Sequence, residues 1–200
     1  MKTMSLVMIF NLLLCSTLWA QLESTCKVIS EQGVGTGTFY KEDKEFYWVI
    51  TAAHVLNGQH SLFIKCYHSG FESEKIPTSL HWKFYKKDTV DDVAILKVSK
   101  QLVKERGMIP PKIIPLFTED FKPAKHLVVK SCGCANGSWP TMWKGHLTSV
   151  SDKVLMFIPT PLPGRSGAAL VYEKKIVGII IFQNGKAISI KRVYELMKDE

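Results

Sequence analysis

Thr51-Ala52-Ala53-His54, Asp91-Asp92-Val93-Ala94-Ile95-Leu96 and Gly164-Arg165-Ser166-Gly167-Ala168-Ala169-Leu170 are the three stretches on which the reading of this chain turns. In order they offer an imidazole, a carboxylate and a hydroxyl. A serine hydroxyl is a poor nucleophile until a base takes its proton, and histidine serves as that base once a carboxylate fixes its tautomer. The constellation recurs on unrelated folds in different chain orders. His, then Asp, then Ser is the order carried by a pair of β-barrels.

Each fragment alone is common, and the conjunction is what sharpens them. His54 follows the apolar run Trp48-Val49-Ile50, and two alanines before it leave room for another molecule. Asp92 adjoins the continuous apolar run Val93–Leu96, where a carboxylate partly out of water needs a partner such as a histidine N–H. Asp91 competes with it, but successive strand residues face opposite ways, so only one of the two can point inward. Gly164 lets the backbone turn so that its own N–H and that of Ser166 converge on one spot. Two such donors can hold a developing oxyanion, and losing one typically costs about 2.7–4 kcal/mol of transition-state stabilisation.

The rest of the chain supports a β architecture. Thirteen short runs rich in Val, Ile, Phe, Tyr and Trp, from Cys26–Ile29 through Phe46–Thr51, Val93–Val98, Ile113–Leu116 and Trp143–Val150 to Ala187–Ile190, are bounded by turn residues. Gln183-Asn184-Gly185 and Glu173-Lys174-Lys175 read as hairpin turns. Val193, Leu196 and Met197 put a helical stripe on Lys191–Lys198. Between Val98 and Phe121 lie Pro110, Pro111 and Pro115, which supply no ladder N–H, so this stretch is expected to cross between sheets.

The first twenty residues, with Lys2, the apolar Val7–Leu14 stretch and Ala20 at the end, read as a signal peptide. The apolar run is short for a bilayer span, so no stable membrane insertion is expected once it is removed. The formal net charge of +8 is scattered over lysines, without an Arg-rich or aromatic-interleaved run, so nucleic acid is not the expected partner. Beyond Cys15 there remain Cys26, Cys66, Cys132 and Cys134, which make disulfides possible in an exported chain and allow three full pairings. None of the histidines has zinc-site spacing to Cys132-x-Cys134, so neither a metal nor a cofactor is expected.

Together these features resemble the trypsin-like serine peptidases of the chymotrypsin fold. Thr51-Ala52-Ala53-His54, Asp92–Leu96 and Gly164-x-Ser166-Gly167 are similar to that family's three motifs, and the likeness runs over nearly all of residues 24–200. Gly35-Thr36-Gly37-Thr38-Phe39 resembles the small-residue strand before the histidine strand. Lys144–Val150 resembles the first part of the second barrel. Ala187–Ile190 followed by a helix is most similar to the bacterial high-temperature-requirement branch. That branch usually adds a PDZ domain, and none is expected here.

The resemblance implies an all-β fold of two six-stranded antiparallel barrels with a short C-terminal helix. Residues 21–118 would form the first barrel and 119–200 the second. It implies His54 as base, Asp92 as orienting acid and Ser166 as nucleophile, with Gly164 and Ser166 forming the oxyanion hole. Thr160, Ile181, Phe182 and Gln183 would line the substrate pocket. The implied activity is that of an exported serine endopeptidase, periplasmic or secreted, acting on a protein or peptide. The alternatives are a catalytically silent binding protein of the same fold and an esterase using the same triad. Two departures stand out. Arg165 occupies the place where the trypsin branch has an aspartate for its activation switch, and it is expected to be solvent-exposed. Ala168-Ala169 replaces the usual Gly/Ser-Pro.

Overall fold

The computed structural model describes residues 21–31, 33–56, 61–87, 89–182 and 184–198. The signal-peptide reading of residues 1–20 and the pocket assignment of Gln183 fall outside them. Chain order among the described residues is β1 (Thr25–Ile29), β2 (Val34–Glu42), β3 (Phe46–Thr51), a 3-10 turn (Ala53–Leu56), β4 (Phe63–His68), β5 (Phe71–Glu72), β6 (Ile76–Pro77), β7 (Ser79–Tyr85), β8 (Asp92–Ser99) and the short helix α1 (Lys100–Glu105). The second half runs β9 (Val128–Gly133), a 3-10 turn (Ala135–Gly137), β10 (Thr141–Val150), β11 (Val154–Ile158), β12 (Ala169–Tyr172), β13 (Lys175–Phe182), β14 (Lys186–Ser189) and α2 (Ile190–Lys198).

The second lobe closes on itself as a six-stranded barrel in the order β10-β11-β14-β13-β12-β9, as expected. Its strands alternate, so that Val129, Leu147, Leu155, Phe157, Leu170, Val177 and Ile180 fill the interior. The first lobe differs from expectation. Its eight strands follow the path β5-β4-β1-β2-β3-β8-β7, with β6 added to β4, and the ladder does not close among the described residues. The extra short strands arise where β4 turns back on itself: Ser69 and Gly70 have positive φ, and the Ser73 hydroxyl and N–H take the backbone groups of Cys66.

Hairpin β12–β13 turns through Glu173 and Lys174, both at positive φ (46° and 61°), the pattern of a type I′ turn. Ile113–Leu116, expected as a strand, contributes only a bridge from Leu116 to Ile176. Its flanking prolines cannot sustain a ladder. The segment instead packs as an inter-lobe connection, with Ile114 donating its N–H to Phe39 and Phe117 to Ile176. Helix α1 was not legible beforehand: it is brief, and its start is capped by the Ser99 hydroxyl. No helix among the described residues is long and apolar enough to cross a membrane.

Candidate active site

Strand register brings the histidine and the aspartate together. β3 and β8 run antiparallel with Thr51 opposite Ala94, so the residue two before Ala94 lies beside the chain just past Thr51. Asp92 therefore meets His54 at the mouth of the sheet. Its Oδ2 lies 2.5 Å from His54 Nδ1, and its Oδ1 accepts the His54 backbone N–H at 2.9 Å. Both carboxylate oxygens are thus committed to one residue, which fixes the ring in position and orientation. The Asp92 side chain is 1% exposed, whereas His54 is 31% exposed, so the carboxylate is out of water while the imidazole keeps part of its surface accessible.

Asp91 faces the other way, as strand alternation requires. Arg192 of α2 clamps it from both sides, Nε to Oδ1 and Nη2 to Oδ2 at 2.8 Å each. The paired hydrogen bonds from Arg192 outweigh desolvation and lower the Asp91 carboxyl below its ordinary range. The two adjacent aspartates have separate jobs. One orients His54, and the other ties the C-terminal helix to the first lobe.

Ser166 sits in the loop between β11 and β12, and that loop is seated against the first lobe at the residues just before His54. The β2–β3 ladder ends with Gly37 opposite Thr51. In the next slot the Thr36 N–H donates to the Ser166 carbonyl at 2.8 Å. Gly167 has φ +88°, and a Cβ there would overlap the Thr36 carbonyl oxygen and the Thr51 hydroxyl and lie 2.9 Å from the Ala52 amide nitrogen. Only glycine lets the serine loop come this close. β13 holds the loop from the second barrel through Gly167 N–H to Ile180 C=O at 2.7 Å and Ile180 N–H to Ala168 C=O at 2.9 Å, and Ala168 N–H to Arg165 C=O at 2.9 Å closes the turn within the loop. Gly164 also requires its positive φ of 84°, since a Cβ would run into the Cys134 carbonyl.

The remaining expected site residues divide. Thr160 is exposed in the β11–β12 loop. Ile181 is 0% exposed and packs in the core, so its side chain does not line a pocket wall. It reads as core because β13 supplies residues to the contact between lobes. Phe182 ends β13.

Arg165 corrects the expectation of an exposed side chain: the residue is 4% exposed. Its Nη2 donates to the Thr141 carbonyl at 2.8 Å and to the Thr141 hydroxyl at 2.5 Å, while Nη1 has no hydrogen-bond partner among the described residues. Burial lowers the guanidinium pKa. The arginine thus joins the serine loop to the start of β10, without a carboxylate.

Cys26, Cys66, Cys132 and Cys134 are all buried free thiols. Cys26 and Cys66 stand directly opposite each other on β1 and β4. Cys66 spends its N–H and C=O on Ser73, so the pair is of the non-hydrogen-bonded kind, the closer of the two kinds in an antiparallel ladder. Desolvation pushes the Cys66 thiol up to about 12 and Cys132 up to about 11. Among the described residues no group of three or more His, Cys, Asp or Glu side chains could hold a metal ion.

The sequence matches the model of the trypsin-like peptidase domain over residues 35–179, and the chain belongs to that family. Solved structures share the fold. A serine endoprotease from Yersinia pestis superposes with a TM-score of 0.68 at 20% identity, over 90% of this chain and 63% of its own. The present chain therefore spans less than two thirds of that protein. The Rv3671c protease in an inactive form gives a TM-score of 0.67 at 20% identity, covering 90% of both chains. A serine-to-alanine mutant of Rv3671c from M. tuberculosis H37Rv, also inactive, gives 0.64 at 19% identity, over 90% and 87%. No curated protein matches the sequence.

Proposed function

We propose that this chain is a serine endopeptidase in which Ser166 is the nucleophile, His54 the general base and then acid, and Asp92 the orienting carboxylate. The observation that carries the reading is the double hold of Asp92 on His54, through Nδ1 at 2.5 Å and the backbone N–H at 2.9 Å. It fixes the imidazole in place, and the serine loop is seated against Thr36 and Thr51, the latter three residues before His54. With Nδ1–H donating to Asp92, Nε2 is the basic nitrogen and removes the Ser166 proton as Oγ attacks the scissile carbonyl. The carbonyl oxygen becomes an oxyanion held by the N–H groups of Gly164 and Ser166. His54 then passes its proton to the leaving amine, giving an acyl-enzyme that water hydrolyses by the same steps in reverse.

No carboxylate occupies position 160, and a threonine hydroxyl there does not favour a basic side chain. The preferred residue on the acyl side of the cut is small to medium and uncharged. The reading extends to export, directed by residues 1–20, to a periplasmic or extracellular compartment. In such a compartment Cys26 and Cys66, opposite each other on neighbouring strands, would pair as a disulfide.

The test is labelling of purified protein with a fluorophosphonate, with Ser166→Ala as control. Near-stoichiometric labelling lost in the variant supports the reading, and a labelled protein that cleaves short esters but no member of a peptide library would be an esterase. Absence of labelling in the folded wild type would leave a binding protein of the same fold.

A further inference from the structure

We propose that Thr36 is a positioning residue that sets the oxyanion loop, its hydroxyl fixing the orientation of Gly164. The inference rests on the catalytic reading of Ser166 given above. Gly164 supplies one oxyanion N–H, and as a glycine at φ +84° it has wide conformational freedom of its own. Its orientation is set by what holds the peptide units on either side. Before it, the Pro163 carbonyl accepts the Asn136 backbone N–H at 2.6 Å. A trans peptide points its C=O and N–H in opposite directions, so this bond turns the Gly164 N–H away from the 135–137 turn. After it, the Gly164 carbonyl accepts the Thr36 hydroxyl at 2.9 Å. One restraint comes from each lobe, and only the one from the first lobe is a side chain.

Thr36 is 0% exposed, and each of its polar groups is bonded to the site. Its N–H donates to Ser166 C=O at 2.8 Å. Its carbonyl accepts the Thr51 hydroxyl at 2.7 Å. Its hydroxyl donates to Gly164 C=O and accepts the Cys134 N–H, both at 2.9 Å. One hydroxyl therefore joins the nucleophile loop, the β9 end and the β2 edge. Replacing it with a methyl would strand the buried Cys134 N–H and release the partly buried Gly164 carbonyl, which is then free to turn toward another partner and carry its peptide with it. Moving Gly164 moves the donor, and a displacement of about 1 Å can cost on the order of 100-fold in rate.

Thr36→Val keeps the shape and removes the hydroxyl. The expected result is a fall of roughly 10- to 100-fold in the maximal inactivation rate by a fluorophosphonate, with its saturation constant within about twofold of wild type. The acid limb of the rate profile should keep its midpoint, because His54 and Asp92 are untouched. Affinity for a peptide boronic acid, which places an anionic tetrahedral centre in the hole, should fall in parallel. Thr36→Ser should restore most of the rate. A Thr36→Val protein that melts like wild type and reacts like wild type overturns the inference, as does equal loss in Thr36→Ser. If Thr36→Val does not fold, Thr36→Ala carries the same test with both γ substituents removed, and Thr36→Ser, which keeps the hydroxyl and lacks the methyl, is its control. A wild type that is never labelled sinks the catalytic reading itself, an outcome distinct from labelled wild type with an indifferent Thr36.

Discussion

Replacing Asp91 by asparagine separates two neighbouring carboxylates that differ only in direction. The Asp91–Arg192 pair makes two charge-assisted hydrogen bonds of 2.8 Å, with the side chains 11% and 19% exposed. Such a pair lies well away from the fully solvated limit, where ion pairs contribute almost nothing. Removing one partner of a fully buried pair costs about 3–5 kcal/mol, and a hydrogen bond to a charged group contributes about 1.5–3 kcal/mol. Here the pair is only partly buried, and asparagine keeps one acceptor, so a loss of about 1.5–3 kcal/mol is expected. For a domain of this size that lowers Tm by roughly 3–12 °C.

The effect has a pH signature. The Arg192 hydrogen bonds depress the Asp91 carboxyl below its ordinary value of 3.8. Its contribution is therefore complete above that value and disappears as pH falls through the depressed folded value, so Asp91→Asn should lose the acid-dependent part of the Tm profile below about pH 4. The assay is thermal melting between pH 2 and 7 beside fluorophosphonate labelling at neutral pH. Labelling should change little in Asp91→Asn and fall on the order of 10⁴ in Asp92→Asn through the wrong tautomer. A crippled Asp91→Asn at unchanged Tm, with a mild Asp92→Asn, would refute the assignment.

Gly167→Ala should abolish labelling and lower Tm, because its Cβ would overlap the Thr36 carbonyl and Thr51 hydroxyl at a φ of +88°; an active, wild-type-like variant would show that the serine loop is not seated as described. Glu72 is held at about 2: burial alone would raise its pKa, but hydrogen bonds from Lys27, Lys65 and Tyr67 together win. Its stabilisation is full above the ordinary glutamate value of 4.5 and lost as pH falls toward 2, so Glu72→Gln should lower Tm at pH 7 and flatten the decline across that window. Protein recovered from an oxidising compartment should titrate two fewer thiols after denaturation than protein made in a reducing one, and Cys26→Ser should remove that difference. Equal thiol counts would show that Cys26 and Cys66 stay reduced.

Much of the architecture was legible from periodicity and punctuation, because the signals are local. Phe46–Thr51 and Val154–Ile158 are strands with the expected bounds, since β-branched and aromatic runs ending at turn residues have little alternative. Ile113–Leu116 has the same composition but lies among prolines, and its place was decided by inter-lobe packing. The first lobe's open path reflects strand pairings between segments far apart in sequence, which composition does not encode.

For the site, the sequence by itself determined which side chains are available: an imidazole after an apolar strand, a carboxylate before one, and a serine between glycines. Their chemistry is a property of residue type and travels with the chain. Tertiary structure alone decided direction and company. It turned Asp92 toward His54 and Asp91 toward Arg192, buried Arg165 against Thr141 instead of leaving it in water, committed Ile181 to the core, and put the Thr36 hydroxyl between Gly164 and Cys134. Thr36 lies 128 residues from Gly164. A threonine in a strand of small residues carries no local mark of such a contact, because the contact exists only where two lobes close on each other.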